Sequence, residues 1–161
     1  MKTLYLLRHA KAEAGERDFE RNLSARGESD AERMGRALKG RGIQPAIVYC
    51  STASRARQTL EIFLPCLGGD IRDARFDDDL YLAAPEYLAE CVAGINDSHE
   101  SALICGHNPG LECLADFYMD SGPLELPTCS FFTIRFNTDS WAFAAPETAG
   151  ETLRITPKSL R

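Results

Sequence analysis

The chain has 161 residues, of which 44% are hydrophobic and 26% are charged. A chain of this length and composition is expected to form one globular domain, 1–161, that buries roughly two-thirds of its unfolded surface. The net charge of −6 argues against non-specific binding of nucleic acid, because that binding depends on phosphate neutralisation by Lys and Arg. An anionic ligand therefore needs a local cluster of arginines.

The N-terminal segment predicts neither a secreted nor a membrane protein. Its apolar run, 4–7, is too short for a signal-peptide core or a membrane span, so we expect a cytoplasmic protein. The six cysteines include no Cys-x-x-Cys pair, and several lie in apolar patterns, so we expect buried, reduced thiols. The spacing of Cys105, His107 and Cys113 is not that of a structural zinc module. We expect no metal and no cofactor.

The first part of the chain predicts two units of a strand followed by a helix. Residues 4–7 are typical of a buried strand, and the polar loop 10–22 contains Asp18 and Arg21. Ser24 is a good N-cap for the first helix. A second buried strand is expected at 46–50, with a helix opening within 51–54. The apolar faces of the two helices are Ala31, Met34 and Leu38, and Ala56, Leu60, Phe63 and Leu67, with glycines at 40, 42, 68 and 69 closing them.

The second part continues this alternation. Residues 70–83 are expected to form an irregular acidic loop, and Pro85 begins a helix whose apolar face contains Leu88, Val92 and Ile95. A third buried strand at 102–105 precedes Gly106-His107-Asn108-Pro109, where Asn108 can cap the next helix and Pro109 can begin it. Segments 130–136, 140–144 and 151–156 predict shorter strands. The order favours a three-layer α/β/α sandwich around a mostly parallel sheet.

Polar residues follow each of the three buried strands. They are Arg8-His9, the segment 51–57, and Gly106-His107-Asn108. Because right-handed crossovers bring the carboxyl ends of parallel strands to one edge of a sheet, we expect these residues to meet. Together they supply two imidazoles, at least two guanidiniums and two helix N-termini. Arginine binds phosphate oxygens in a bidentate manner and helix N-termini favour anions, so the sequence predicts a phosphate pocket.

Each candidate also has a purely structural interpretation. Arg55 and Arg57 are two positions apart on a helix and point about 200° away from each other, so only one can face the pocket. We expect it to be Arg55, in the first turn, with Arg57 solvated at the surface. Arg21 fits a surface loop equally well, His107 could be a core histidine, and His99 is expected at the surface.

Three segments together resemble the histidine phosphatase superfamily, which has the phosphoglycerate-mutase-like fold. They are Leu7-Arg8-His9-Ala10, Ser51-x-x-x-Arg55-Ala56-x-Gln58-Thr59 and Gly106-His107-Asn108-Pro109. The short chain, Arg-His-Ala-Lys in place of Arg-His-Gly-Glu, and the segment Arg21-Asn22-Leu23-Ser24 are similar to the SixA branch of small phosphohistidine phosphatases. The match in order and spacing covers nearly the whole chain.

The resemblance implies a role for each matched residue. His9 would be the nucleophile that becomes phosphorylated, and Arg8, Arg55 and His107 would bind the phosphoryl oxygens. Arg21, with Asn108, is expected to help bind the substrate. This chemistry is consistent with the residues themselves, because a neutral imidazole is available as a nucleophile at neutral pH. A protonated His107 would serve best as a donor to phosphate.

The acid that would protonate a leaving group is not evident. Larger family members place a glutamate after the second helix, and the candidates here are Asp77, Asp78, Asp79 and Glu86. Each also fits a solvated acidic surface. An alkoxide leaves poorly without a proton, whereas imidazole leaves readily from phosphohistidine. The missing acid therefore favours cleavage of a P–N bond.

The sequence leaves three functions open. The leading one is a metal-independent phosphatase acting through a phosphohistidine intermediate on a phosphorylated protein, such as a histidine phosphotransfer domain. A phosphatase for small phosphate esters, including sugar or nucleotide phosphates, is the first alternative, and a non-catalytic phosphate-binding module is the second. The short chain leaves little sequence for a lid, so we expect an open site. Tyr81 and Tyr87 either line it or pack against the core.

Overall fold

The computed structural model describes residues 1–120 and 122–161. Its helices are α1 (Ala25–Gly40), α2 (Ser54–Leu67), α3 (Pro85–Ala93) and α4 (Gly110–Met119). Its strands are β1 (Lys2–Arg8), β2 (Ile47–Ser51), β3 (Ala74–Asp77), β4 (Ser101–Gly106), β5 (Phe131–Phe136) and β6 (Ala149–Ile155). The predicted alternation of strands and helices is therefore confirmed through α4.

The strands form one sheet in the order β3-β2-β4-β1-β5-β6. The first four strands in that order pair in parallel. β5 and β6 add to the β1 side as antiparallel strands. The sheet is mostly parallel, as predicted, and the carboxyl ends of β1, β2 and β4 lie at the same edge.

Helices cover both faces of this sheet and create two cores. Successive strand residues point to opposite faces, so Tyr5 and Leu7 of β1 pack in the core shared with α1 and α2. Leu4 and Leu6 pack in the core shared with α3 and α4. This arrangement is the predicted three-layer α/β/α sandwich.

The start of α1 holds the loop that follows β1. Ser24 caps the helix, as predicted, because its Oγ accepts the Gly27 N–H at 3.1 Å. A Cβ on Gly27 would lie 2.1 Å from the Lys11 carbonyl oxygen, so only glycine allows this close approach. The loop 10–22 is therefore fixed against α1 near the carboxyl edge.

Two segments differ from their predicted structure. The loop expected at 70–83 contains β3, a four-residue strand whose Ala74 and Asp77 pair with Val48 and Ser51. The strand has only four residues, two of them charged, and lies at the edge of the sheet, so its sequence is difficult to distinguish from that of a loop. The strand expected at 140–144 is instead a 3-10 turn at Trp141–Phe143. It anchors the buried Trp141 ring, whose Nε1–H donates to the His99 carbonyl at 2.8 Å.

Two helix ends also differ slightly from the prediction. α3 ends at Ala93, so Ile95 lies beyond the helix, although its side chain is buried. α4 begins at Gly110, and Pro109 is the residue before its first turn. No helix within the described residues is long and apolar enough to cross a membrane.

Candidate active site

The ends of β1, β2 and β4 bring the predicted polar segments together. Arg8 pairs with Gly106, and Cys50 pairs with Cys105. The residues that follow these strands are therefore neighbours, and the rings of His9 and His107 lie 5.2 Å apart between centroids. We call His9, His107, Arg8 and Arg55 the arginine–histidine cluster.

His9 is buried in an orientation that fixes its tautomer. Its Nδ1 lies 2.7 Å from the Ala10 carbonyl oxygen, and a carbonyl can only accept a hydrogen bond. Nδ1 therefore carries the ring proton, and Nε2 carries the lone pair. The Arg55 Nε–H points at this Nε2 from 3.3 Å.

The surroundings of His9 keep its ring neutral. Burial lowers its pKa to about 4; the Ala10 carbonyl opposes this shift, and Arg55, Arg8 and Arg21 add to it. A neutral imidazole with its lone pair at Nε2 is a competent nucleophile near pH 7.

His107 is buried beside His9 with one ring nitrogen held by the protein. Its Nε2 lies 2.8 Å from Ser51 Oγ, and that oxygen also accepts the Ala53 N–H at 3.2 Å. Its Nδ1 is buried without a hydrogen-bond partner in the described structure. Its pKa is lowered to about 3, mainly by burial and then by its electrostatic interactions with His9 and Arg55. A bound phosphate dianion would raise this pKa by favouring the charged ring.

Arg55 lies at the first turn of α2 and reaches into the cluster with only 3% of its surface exposed. Besides His9, its guanidinium donates to the Asp18 carbonyl at 2.7 Å and to Asp18 Oδ2 at 3.0 Å. Arg57 points elsewhere, as expected, and is half-buried rather than fully solvated. Its guanidinium lies over the Phe76 ring, 3.9 Å from the centroid.

Arg8 flanks the cluster from the end of β1. One of its terminal nitrogens donates to the Leu126 carbonyl at 2.9 Å, while its Nε is buried without a partner in the described structure. Burial lowers the pKa of Arg8, and the Glu112 carboxylate opposes that shift. The charge of Arg8 in turn lowers the pKa values of His9 and His107.

Arg21 and Asn108 lie outside the buried cluster. Arg21 donates to the Glu13 carbonyl at 2.8 Å and to Asp18 Oδ1 at 3.1 Å, so its hydrogen bonds link it to the cluster through Asp18. Asn108 does not cap α4. Its amide nitrogen donates to Glu112 at 2.6 Å and to the Leu126 carbonyl at 2.9 Å. Both amide protons are thus used, which leaves none for a phosphate oxygen.

Two of the four candidate acids have other partners, and the other two are exposed. Asp77 accepts the Asp79 N–H at 2.8 Å and the Tyr87 hydroxyl at 3.3 Å. Asp78 accepts the Thr52 hydroxyl at 2.6 Å. Asp79 is exposed, and so is Glu86. The contacts of Asp77 and Asp78 are those of turn residues rather than of a proton donor to the site.

Sequence reasoning missed the pairing of Asp18 with Tyr81. The Tyr81 hydroxyl donates to Asp18 Oδ2 at 2.5 Å, and its ring packs edge-on against His107 with 5.4 Å between centroids. This hydrogen bond, followed by those of Arg21 and Arg55, holds the pKa of Asp18 well below its usual range. A loop aspartate and a distant tyrosine carry no signal in sequence that they meet.

The sheet topology and the helices on both faces define an α/β protein with the phosphoglycerate-mutase-like fold. A sequence profile of the histidine phosphatase superfamily (branch 1) matches residues 4–81. An uncharacterised chloroplastic protein of Arabidopsis thaliana is 30% identical over 154 residues, covering 88% of this chain and 70% of that protein.

Two solved structures extend this comparison over most of the chain. SixA from Agrobacterium tumefaciens is 30% identical, with a TM-score of 0.77, over 84% of this chain and 92% of that one. SixA from Nakamurella multipartitia is 27% identical, with a TM-score of 0.81, over 97% and 96%. The chain therefore belongs to the histidine phosphatase superfamily, in its SixA-type branch, and is a phosphatase.

Proposed function

We propose that this phosphatase removes phosphate from phosphohistidine on a protein, with His9 as the nucleophile. The observation that carries the proposal is the orientation of His9. Its Nδ1–H is fixed on the Ala10 carbonyl, so the Nε2 lone pair faces Arg55. In-line attack by Nε2 forms a phosphohistidine on the enzyme, which water then hydrolyses.

The cations around His9 supply the electrostatic stabilisation that phosphoryl transfer needs. Arg55 is anchored next to Nε2. Arg8 Nε has no partner in the described structure and would donate to a phosphoryl oxygen, as would His107 Nδ1 when it carries a proton. Arg21 would assist through its contact with Asp18. Asn108 would position the segment at Leu126, whose carbonyl also holds Arg8. No step in this scheme requires a metal.

The choice of a P–N substrate rests on proton supply. The carboxylate hydrogen-bonded to Arg55 is Asp18, and its lowered pKa keeps it ionised. An ionised carboxylate cannot protonate an alkoxide, whereas an imidazole leaves as a neutral molecule. The names of the SixA relatives point the same way. The fold does not select the substrate, because a mycobacterial glucosyl-3-phosphoglycerate phosphatase shares it at 14% identity.

The proposed function also implies the kind of partner and the cellular compartment of the enzyme. A histidine displayed on a protein, such as a phosphotransfer domain, needs an open site and a partner at its mouth. All six cysteines are free, which supports a reducing compartment such as the cytoplasm. One catalytic domain spanning 1–161 would carry the activity.

The His9→Ala variant tests the mechanism. We expect it to release no phosphate from a phosphohistidine protein and to form no acid-labile phosphoenzyme. His99→Ala is the matched control, because His99 precedes β4 at the opposite edge of the sheet and should leave turnover unchanged. Normal turnover by His9→Ala would exclude His9 as the nucleophile.

A panel of phosphohistidine protein, sugar phosphates and nucleotides tests the proposed substrate. Hydrolysis of the phosphate esters alone would overturn the assignment of phosphohistidine as substrate.

A further inference from the structure

Asp18 accepts hydrogen bonds from Arg55 of the arginine–histidine cluster, yet the proposed mechanism gives Asp18 no role. It lies in the 3-10 turn Asp18–Glu20, within the loop fixed against α1. Three side chains donate to its carboxylate: Arg21 to Oδ1, and Arg55 and Tyr81 to Oδ2. These three hydrogen bonds hold the carboxylate of a loop residue in one position beside the cluster.

The carboxylate retains capacity for one further donor. Two carboxylate oxygens offer about four lone-pair positions, and the three side chains occupy three of them. The free position is on Oδ1, and 47% of the Asp18 side chain is exposed. A group entering from solvent can therefore reach it without displacing Arg55 or Tyr81.

Asp18 lies near the place where a leaving group would depart. One guanidinium, that of Arg55, spans the gap between His9 Nε2 at 3.3 Å and Asp18 Oδ2 at 3.0 Å. In-line transfer puts the leaving group opposite the nucleophile, with the phosphoryl group between them. A phosphoryl group held by Arg55 at His9 would therefore lie close to the Asp18 carboxylate, which Tyr81 also holds.

We propose that Asp18 selects phosphohistidine over phosphate esters by accepting a hydrogen bond from the substrate ring nitrogen that carries no phosphorus. This inference rests on the proposed function and names the group that recognises the leaving imidazole. The carboxylate stabilises the protonated substrate ring, because an opposite charge nearby favours the charged form.

The step balances without a proton from the protein. The substrate ring takes its proton from solvent at the free nitrogen and becomes an imidazolium. His9 Nε2 then forms its bond to phosphorus as the P–N bond of the substrate breaks. The electron pair returns to the ring, which leaves as neutral imidazole with its proton still on the other nitrogen. An ester offers no such nitrogen, and its oxygen would need a proton that Asp18 does not hold.

The test compares two substrates in the Asp18→Asn variant. One is a histidine protein phosphorylated with phosphoramidate, and the other is p-nitrophenyl phosphate, whose leaving group departs without a proton. We expect kcat/KM to fall about 10²-fold for the first, the lower end for a positioned proton-handling group. For the second it should stay within about threefold. The backbone carbonyl of Asp18 still anchors Arg55 in this variant.

Two further variants keep the result interpretable. Asp18→Ala removes the carboxylate without adding an amide, and we expect the same selective loss. Glu20→Gln is the control for charge, because Glu20 is exposed in the same turn and pairs only weakly with Arg17 at 3.5 Å. It should leave both substrates unchanged.

Each other outcome has a distinct meaning. An equal fall for both substrates would make Asp18 a mere anchor for Arg55 and would overturn the inference. An equal rise would make it a competitor of phosphate for the arginines, which also overturns it. If the unmodified enzyme hydrolyses p-nitrophenyl phosphate but not phosphohistidine, the proposed function fails and this inference fails with it.

Discussion

The protein buries positive charge at both ends of its central sheet and satisfies it differently at each. At the amino end of β1, the Lys2 ammonium donates to the carbonyls of Asp97 and His99 at 2.6 and 3.1 Å. A third contact joins it to the Glu100 carboxylate at 3.3 Å. An ammonium has three donors, so the protein itself satisfies this cation completely.

Two buried nitrogens at the carboxyl edge, one on the Arg8 cation and one on the neutral His107 ring, lack a partner in the part of the chain that the structure describes. Within the described residues, Arg8 Nε and His107 Nδ1 are buried without a partner, at a typical cost of about 1–3 kcal/mol for each such group. A saturated cation holds the fold together, whereas unsaturated donors are tolerated where an anion completes them. The two ends should therefore respond in opposite ways to substitution, with activity lost at one and stability at the other.

The largest difference is expected from Arg55→Met. Removing a guanidinium that stabilises the transferring phosphoryl group costs about 10³–10⁵ in kcat. Steady-state hydrolysis of p-nitrophenyl phosphate measures it. Arg57→Met is the matched control, because it lies two residues along α2 and stacks on Phe76. A loss below about tenfold would remove Arg55 from the site.

The contacts at the two ends of the sheet can be predicted from the sequence to different extents. The carboxyl-edge cluster was predictable, because apolar runs locate the parallel strands and topology brings their ends together. The pairing of Asp18 with Tyr81 was not predictable, because the two residues are 63 positions apart and meet only in the folded chain. Lys2 gave no signal either, because its three acceptors come from the turn before β4.

Tertiary partners also override local patterns elsewhere. Asn108 stands where a helix cap is expected, but the Leu126 carbonyl and Glu112 take its amide. Trp141 lies in a strand-like segment, yet its indole N–H is satisfied in a turn by the His99 carbonyl. In both cases a polar side chain bonds to a backbone carbonyl outside its own segment, and this contact prevails over the local propensity.

The pH dependence of stability is the next largest effect. An unfolded histidine titrates near pH 6.5, while the folded pKa values are about 4 for His9 and about 3 for His107. Between pH 6.5 and 4 the unfolded chain binds more protons, so stability falls as the pH falls through this window. The loss should be on the order of a few kcal/mol.

Urea unfolding at a series of pH values measures this loss. The double variant His9→Gln/His107→Gln should show a shallower dependence between pH 6.5 and 5, because carboxylates that titrate lower are common to both proteins. Equal slopes for the two proteins would show that the histidines are not held neutral by the cluster.

At the other end of the sheet, Lys2→Met should destabilise the fold and spare the chemistry. The variant leaves the carbonyl of Asp97 without its donor, and we expect a loss of about 1–3 kcal/mol. The methionine side chain is of similar length and can still reach the Trp141 ring, whose centroid lies 6.0 Å from Lys2 Nζ. Urea unfolding and p-nitrophenyl phosphate turnover are measured on the same sample. A change in kcat with unaltered stability would show that Lys2 serves the chemistry rather than the fold.

The smallest effect, binding of orthophosphate, separates the two ends most directly. An anion that completes the donors of Arg8 and His107 binds only the folded chain, so it stabilises by mass action. At tenfold its Kd this amounts to about 1.4 kcal/mol. We expect orthophosphate to raise the Tm of the unmodified protein and of Lys2→Met equally, and to leave Arg55→Met unchanged. Sodium chloride at matched ionic strength controls for general salt effects on the surface. Because Lys2 already has all its acceptors, a rise that disappears in Lys2→Met would show that the anion binds outside the carboxyl edge and that the unpaired donors there serve no ligand.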